Sequence, residues 1–337
     1  MNVLIVLPIN QPLGGNWTYS ERLQRGLQPF GFRITRKAID QVNKQDYQEA
    51  TIVHCYNAYT TGRHVVEVAK ALNKPLVLTI TGTDVNEYLN HPVTSLHMTE
   101  VIEYASRIIF LNKDAKKKLC DVFPGVEGKC CMVNIGIDLP NGVGKKRTDY
   151  GFQKEEFIFL LVAGIRPVKR PLDAVEPMKR LRRQYRHIRY VLAGPILDEK
   201  LFQEIKREFQ KLPFAQYMGP VPHIEISDLY RAVDVVLNTS SSEGVSQSLL
   251  EAMLLGKPIL ASNVPGNCSL IQDGINGFLY CNADQFVQYA ELLVGDEKLR
   301  TNMGQQALKT INYQYSPKDE LDSFRMMYEL VLQPSNR

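Results

Sequence analysis

Residues 237–256 read LNTSSSEGVSQSLLEAMLLG, and the rest of the chain is best read outward from them. An apolar strand end runs through a small Ser/Thr/Gly loop into an amphipathic helix, the repeating unit of a parallel α/β sheet. Two carboxylates, Glu243 and Glu251, bracket the start of that helix. Eight residues of helix advance about 12 Å and turn only about 80° past two full turns, so both acids lie along one face. Between them, the backbone N–H groups near Gly244, Val245 and Ser246 stand where unpaired donors and the positive dipole end favour an anion. An extended ligand with hydroxyls at both ends and a diphosphate in its middle suits that spacing, and a nucleotide sugar is such a molecule.

Upstream, residues 157–181 read FIFLLVAGIRPVKRPLDAVEPMKRL. Arg166 and Lys169 stand three apart, after a strand and before a helix, so both reach toward one point above the sheet. Two cations there would clamp a diphosphate and stabilise its charge as it leaves; an exposed basic turn is the alternative. Further strands are expected at 188–194, 215–219, 234–239, 258–262 and 277–280. In the first half they are expected at 2–8, 51–55, 76–81, 107–111 and 130–135, with helices at 62–72 and 114–122. Strands alternating with helices imply two doubly wound, Rossmann-like parallel sheets in tandem.

Ligands of such sheets bind beyond the carboxyl ends of the strands. That rule directs attention to Gly14 and Gly15, to His54 as a candidate to line a cleft, and to the TGTD run ending at Asp84. The glycine pair follows the first strand without the GxGxxG spacing, which argues against a dehydrogenase. Between the halves, residues 138–154 lose the apolar rhythm and form the best linker candidate. A cleft between two domains is the default site. Near the end, Ser316 and Pro317 look like the N-cap and first position of a closing helix packed through Leu321, Phe324, Met327, Tyr328 and Val331.

With 337 residues, 44% hydrophobic and 23% charged, the chain has material for two cores. A net charge of +4 from 40 basic and 36 acidic residues gives no footprint for nucleic acid and suits an anionic small ligand. Six cysteines without a CxxC pair read as reduced thiols of a cytoplasmic protein. The opening MNVLIVLPI lacks a basic flank, is too short for a signal sequence or a membrane span, and reads as a buried strand. The basic run 179–189, KRLRRQYRHIR, is either a solvated helix face or a weak peripheral contact with anionic lipid.

Taken in order, G-x-R-x-x-K, VLAGP, the E-x7-E loop and helix, GKPILAS and DGINGFLY resemble the nucleotide-binding half of retaining GT-B glycosyltransferases of the family-4 type, glycosyl transferases group 1. The likeness covers residues 157–280, with the closing helix similar to that family's cross-over helix. TGTDVNE at 81–87, VSQSLLEAM at 245–253 and NVPGN at 263–267 are most similar to the glycosyltransferase-1-domain-containing branch. The resemblance implies a GT-B fold with domains at 1–145, 146–312 and a cross-over helix at 313–337. It implies that Arg166 and Lys169 hold the donor diphosphate, that Glu251 takes the ribose hydroxyls, and that Glu243 meets the transferred sugar. Gly244, Val245 and Ser246 would cap the phosphates, with Gly14 and Gly15 approaching from the other domain.

Val264-Pro265-Gly266-Asn267-Cys268 stands where many members carry Gly-Gly-x-Pro-Glu, and Asp84 where many place a histidine near the sugar. Asp84 is the residue to examine as an acceptor-orienting group or base. No resident cofactor and no metal are expected; the nucleotide sugar, a UDP-sugar by preference, is a co-substrate. The acceptor is a glycan, a lipid-linked molecule or a small molecule. A nucleotide-sugar epimerase and a non-catalytic nucleotide-sugar-binding protein share the architecture and remain the alternatives.

Overall fold

The computed structural model describes residues 1–8 and 15–333. It separates into two compact units, Met1–Gly136 with Ser316–Arg337, and Ile137–Tyr315. Each is an α/β unit on one all-parallel, six-stranded sheet.

In the first unit the strands are β1 (Asn2–Leu7), β2 (Arg33–Ala38), β3 (Ile52–Tyr56), β4 (Leu76–Thr79), β5 (Arg107–Phe110) and β6 (Cys130–Met132). Their spatial order is β2-β1-β3-β4-β5-β6. β1 lies inside the sheet next to the edge strand, with Val3 opposite Ile34 on one side and Ile52 on the other, and its residues 3–7 are buried, as a strand covered on both faces must be. β2, RITRKA, is the strand that hydrophobic patterning misses. It lies at the sheet edge, where Arg33 and Thr35 face solvent and charge guards the open ladder.

The helices of this unit are α1 (Gly15–Leu27), α2 (Lys44–Glu49), α3 (Arg63–Ala71), α4 (Gly82–Asn86), α5 (Pro92–Tyr104) and α6 (Lys113–Val122). The second unit uses β7 (Phe157–Val162), β8 (Ile188–Ala193), β9 (Ala215–Gly219), β10 (Val235–Asn238), β11 (Ile259–Ser262) and β12 (Phe278–Tyr280), ordered β12-β11-β10-β7-β8-β9. Its helices are α7 (Val175–Gln184), α8 (Glu199–Phe209), α9 (Ile226–Arg231), α10 (Gln247–Leu254), α11 (Pro265–Cys268), α12 (Ala283–Gly295) and α13 (Glu297–Gln314). The last helix, α14 (Pro317–Leu332), belongs to the first unit.

Two sequence expectations change here. Most of the stretch expected to be a linker is sewn onto the second unit. The backbone N–H groups of Val143, Gly144 and Lys145 all donate to Asp228 Oδ2, at 2.7, 2.9 and 3.1 Å, and Arg231 donates to the Asn141 carbonyl at 2.7 Å. The basic run 179–189 is not one helix either. α7 stops at Gln184, and three of the cations are used within the unit: Arg180 on Asp284, Arg182 on the Ile188 carbonyl, Arg189 on Glu156. Among the described residues no helix is long and apolar enough to cross a membrane.

α14 closes the first unit's core. Ser316 caps it, Pro317 takes its first position, and Phe324, Met327 and Tyr328 are buried. His54 meets it from β3, with Nδ1 2.7 Å from Tyr328 Oη and Nε2 2.7 Å from Thr79 Oγ1. His54 is therefore a fully enclosed packing residue rather than one that lines a cleft.

Burial pushes its pKa from 6.5 down to about 3. The unfolded chain takes up a proton at this histidine near pH 6.5 that the folded one refuses until about pH 3, so stability falls as pH drops through that window. Urea titrations of wild type and His54→Gln across it should show a slope of up to about 1.4 kcal/mol per pH unit that the variant lacks. Identical slopes would show that His54 is not held neutral.

Candidate functional site

The second unit assembles most of the residues that the sequence brings forward. β10 delivers its last residue, Asn238, to the carboxyl edge of the sheet, and the loop from Thr239 to Val245 lies against the turn after β7. Thr239 Oγ1 donates to the Lys169 carbonyl at 2.6 Å and the Ser241 N–H to the Val168 carbonyl at 2.9 Å. This pairing brings Lys169 Nζ to 2.5 Å from Glu243 Oε1. The same oxygen also accepts from Ser240 Oγ at 2.6 Å and from Asn238 Nδ2 at 3.0 Å. Its second oxygen, Oε2, takes no hydrogen bond among the described residues.

Burial alone would raise the Glu243 pKa. The charge of Lys169 and the donors on Oε1 outweigh it, and the carboxyl is held below its ordinary range. Gly266, on α11, packs so close behind that a Cβ would overlap the Glu243 carbonyl, which explains a glycine there.

α10 follows directly. Leu249, Leu250 and Met253 enter the core, and Ser246 is the N-cap without a side-chain cap of its own. The N–H groups of Val245, Ser246 and Gln247 meet no acceptor among the described residues. Glu251 is buried on α10, and Tyr230 Oη donates to its Oε2 at 2.9 Å and to the Ser248 carbonyl at 3.1 Å. Tyr230 is a contributor that sequence reading missed; a tyrosine near the end of the short helix ISDLYR gives no separate signal.

Arg166 and Lys169 diverge. Arg166 is exposed, and its guanidinium has no protein partner among the described residues, whereas Lys169 is tied to Glu243. One cation is available to a ligand outright. The other keeps two of its three donor positions for one.

In the first unit, Asp84 is not an available base. It is the third residue of α4 and is fully buried. Its Oδ1 accepts from the Ala58 N–H at 2.5 Å, and its Oδ2 from the Thr81 N–H at 2.6 Å and Thr81 Oγ1 at 2.9 Å. Thr81-Gly-Thr-Asp84 is a capping box, in which cap and third residue satisfy each other. It anchors the turn at Asn57, whose φ of 74° is left-handed and whose amide donates to Thr81 and Thr83. Burial raises the Asp84 pKa to about 7 against those hydrogen bonds.

Gly15 opens α1, and Gly14 lies outside the described residues. A concavity of about 960 Å³ opens among Ile39, Val42, Lys44, Tyr47, His64 and Leu72, and none of the sequence-predicted site residues lines it. Among the described residues no three His, Cys, Asp or Glu side chains gather as a metal centre would require.

Residues 143–310, about half of the chain, match the family model described as Glycosyl transferases group 1. Glycosyltransferase 1 domain-containing protein 1 of Xenopus tropicalis is 24% identical over 260 residues, 73% of each protein. D-inositol 3-phosphate glycosyltransferase of Kribbella flavida is 25% identical over 233 residues, 65% of this chain and 55% of that protein. Among solved structures, Anabaena HepE in complex with UDP and glucose superposes with a TM-score of 0.81 at 15% identity, over 98% of this chain and 100% of that one. Sucrose-phosphate synthase from Thermosynechococcus elongatus gives 0.83 at 14% identity, over 98% and 99%. At such identities the structural likeness speaks to the fold alone.

Proposed function

We propose that this chain, which has the GT-B fold and belongs to the glycosyl transferases group 1 through residues 143–310, moves a sugar from a UDP-sugar to a hydroxyl acceptor with retention of anomeric configuration. The observation that carries the reading is the arrangement on one loop and helix. Glu243 presents one saturated and one open carboxylate oxygen, Glu251 is held by Tyr230 further along α10, and unmet N–H groups lie between them. Acceptors at the ends and donors in the middle match sugar hydroxyls, ribose hydroxyls and diphosphate in turn. That HepE is described with UDP and glucose supports uridine as the nucleoside.

In this reading Arg166 and Lys169 face the diphosphate, and the open N–H groups at the start of α10 share its charge. The bond from the anomeric carbon to phosphate oxygen breaks, and a bond to the acceptor oxygen forms on the same face. The acceptor's proton passes to the departing phosphate, so neither a protein nucleophile nor a metal enters the step. Asp84 has no part in it, because its Oδ1 is taken by the Ala58 N–H and its Oδ2 by the Thr81 cap.

A thermal-shift screen against UDP, GDP, ADP and their glucose conjugates tests the nucleoside first. Saturation at about a hundred times Kd stabilises the folded state by about 2.7 kcal/mol, an easily read rise in melting temperature. UDP should give the largest rise. Proton NMR of UDP-glucose turnover with water as acceptor should then show α-glucose appearing before mutarotation. First-formed β-glucose would remove retention, and an epimerised UDP-sugar would remove transfer altogether.

A further inference from the structure

Asn238 is the buried last residue of β10, five residues before Glu243 and outside the Glu243–Glu251 spacing. An unambiguous donor orients its amide: the Ser240 N–H meets Oδ1 at 3.0 Å, which turns Nδ2 the other way. Nδ2 then donates to Glu243 Oε1 at 3.0 Å and to Ser246 Oγ at 3.1 Å. Asn267 Nδ2 donates to the same Oδ1 at 3.1 Å and to the Ser262 carbonyl at 2.9 Å. Keeping Asn267 in that orientation leaves its own Oδ1 buried without a partner. A buried acceptor left unmet is unfavourable, so the orientation is held by the rest of the network.

We propose that Asn238 is the positioning residue of the donor site, its single amide setting the sugar-facing carboxylate of Glu243 in register with the phosphate-facing end of α10. The inference rests on the UDP-sugar reading. Three donors on Oε1 leave Oε2 of Glu243 as the oxygen for a sugar hydroxyl. The same Nδ2 can only donate, so Ser246 Oγ gives its second N–H a lone pair. Ser246 and Ser248 share one further hydrogen bond at 3.2 Å, which uses one of their two hydroxyl protons. The remaining proton is left to a ligand oxygen beside the unmet N–H groups of Val245 and Ser246. Removing the amide frees Glu243 to rotate and undoes this polarity in the same stroke, although Asn238 touches neither sugar nor phosphate.

Two substitutions separate this role from simple packing. Asn238→Leu removes the amide. Asn238→Asp keeps the Oδ1 bonds to Ser240 and Asn267 but puts a second carboxylate beside Glu243. The ionisable groups on the elements packed against that pair are Lys169, from the turn after β7, and the Tyr280 hydroxyl of β12, which meets the Asn238 carbonyl at 3.4 Å. Two carboxylates facing one cation share a proton well above the usual carboxylate range. When protonated, the introduced carboxyl regains an O–H donor for Glu243.

The experiment measures UDP release from UDP-glucose, with water as acceptor, as kcat and KM across about pH 6 to 8, together with calorimetric binding of UDP. In Asn238→Leu, kcat should fall by at least about a hundredfold at every pH, a much larger change than any rise in KM or in the UDP Kd. Asn238→Asp should match that loss at the alkaline end and recover at least about tenfold toward wild type at the acid end. A constant ratio of Asn238→Asp to wild type across the range overturns the proposal, whether or not the leucine variant folds, and so does an unchanged kcat in Asn238→Leu. A wild-type protein that binds no UDP would instead overturn the UDP-sugar reading on which the proposal stands.

Discussion

Glu243→Gln should lower UDP-sugar turnover by about two to three orders of magnitude, equivalent to about 3–4 kcal/mol of transition-state stabilisation. Among the described residues this carboxylate is the one ion-paired with Lys169, and that lysine is itself mostly buried. An amide in its place leaves the ammonium facing a neutral oxygen, and it turns the ligand-facing acceptor at Oε2 into an N–H donor or disorders it. Lys169→Ala acts on the same pair from the other side. It removes a phosphate-facing cation and leaves Glu243 with Ser240 and Asn238 alone. Its loss should be of similar size, and the double variant should lose much less than the product of the two, because the pair works as a unit. Turnover of UDP-glucose by the four proteins, each with an intact melting transition, decides the matter. Wild-type rates in either single variant would remove the site assignment.

The largest effect on stability is expected in the first unit, at Glu320→Ala. Arg22 of α1 and Glu320 of α14 form a two-pronged ion pair, Nε to Oε2 at 2.8 Å and Nη2 to Oε1 at 3.0 Å, with both side chains almost wholly enclosed. Removing one partner of such a pair typically costs about 3–5 kcal/mol, since it strands a charge away from water. Replacing both with apolar residues of similar volume, Arg22→Met with Glu320→Leu, should recover most of the loss, because well-packed apolar side chains are often as stable as a buried pair. Urea denaturation of wild type and the two variants tests this. A loss below about 1 kcal/mol in Glu320→Ala would place the pair in the surface class.

Much of this was legible in the residues, and the exceptions have physical causes. Strands covered on both faces, such as NVLIVL and FIFLLV, announce themselves by unbroken apolar runs. The edge strand RITRKA does not, because the charges that protect an open edge also erase the pattern. The Glu243, Val245, Ser246 and Glu251 grouping was readable because one loop and one helix carry all of it, at fixed spacing. Asn238 and Asn267 are 29 residues apart and meet only when β10 and β11 pair.

Asp84 shows the opposite hazard. An acid at a strand end looks like chemistry, yet Thr-x-x-Asp is also the signature of a capped helix, and the second reading describes it. His54 was equally ambiguous, since the residue that explains it, Tyr328, lies 274 positions away. The linker was misjudged because loss of apolar rhythm cannot reveal that one carboxylate, Asp228, collects three backbone N–H groups.

The position of α14 also sets an order of assembly during synthesis. Ile137–Tyr315 is one uninterrupted stretch, so on a chain made from its amino end all of the second unit is synthesised before Ser316 onward is added. The first unit begins earlier and finishes later. Until α14 emerges, the surface that will receive Phe324 and Tyr328 is uncovered and His54 faces water instead of the Tyr328 hydroxyl. A ribosome stalled before that point displays a half-closed apolar sheet, which is the kind of surface that nascent-chain chaperones hold. The first unit is thus completed only after the second has been made.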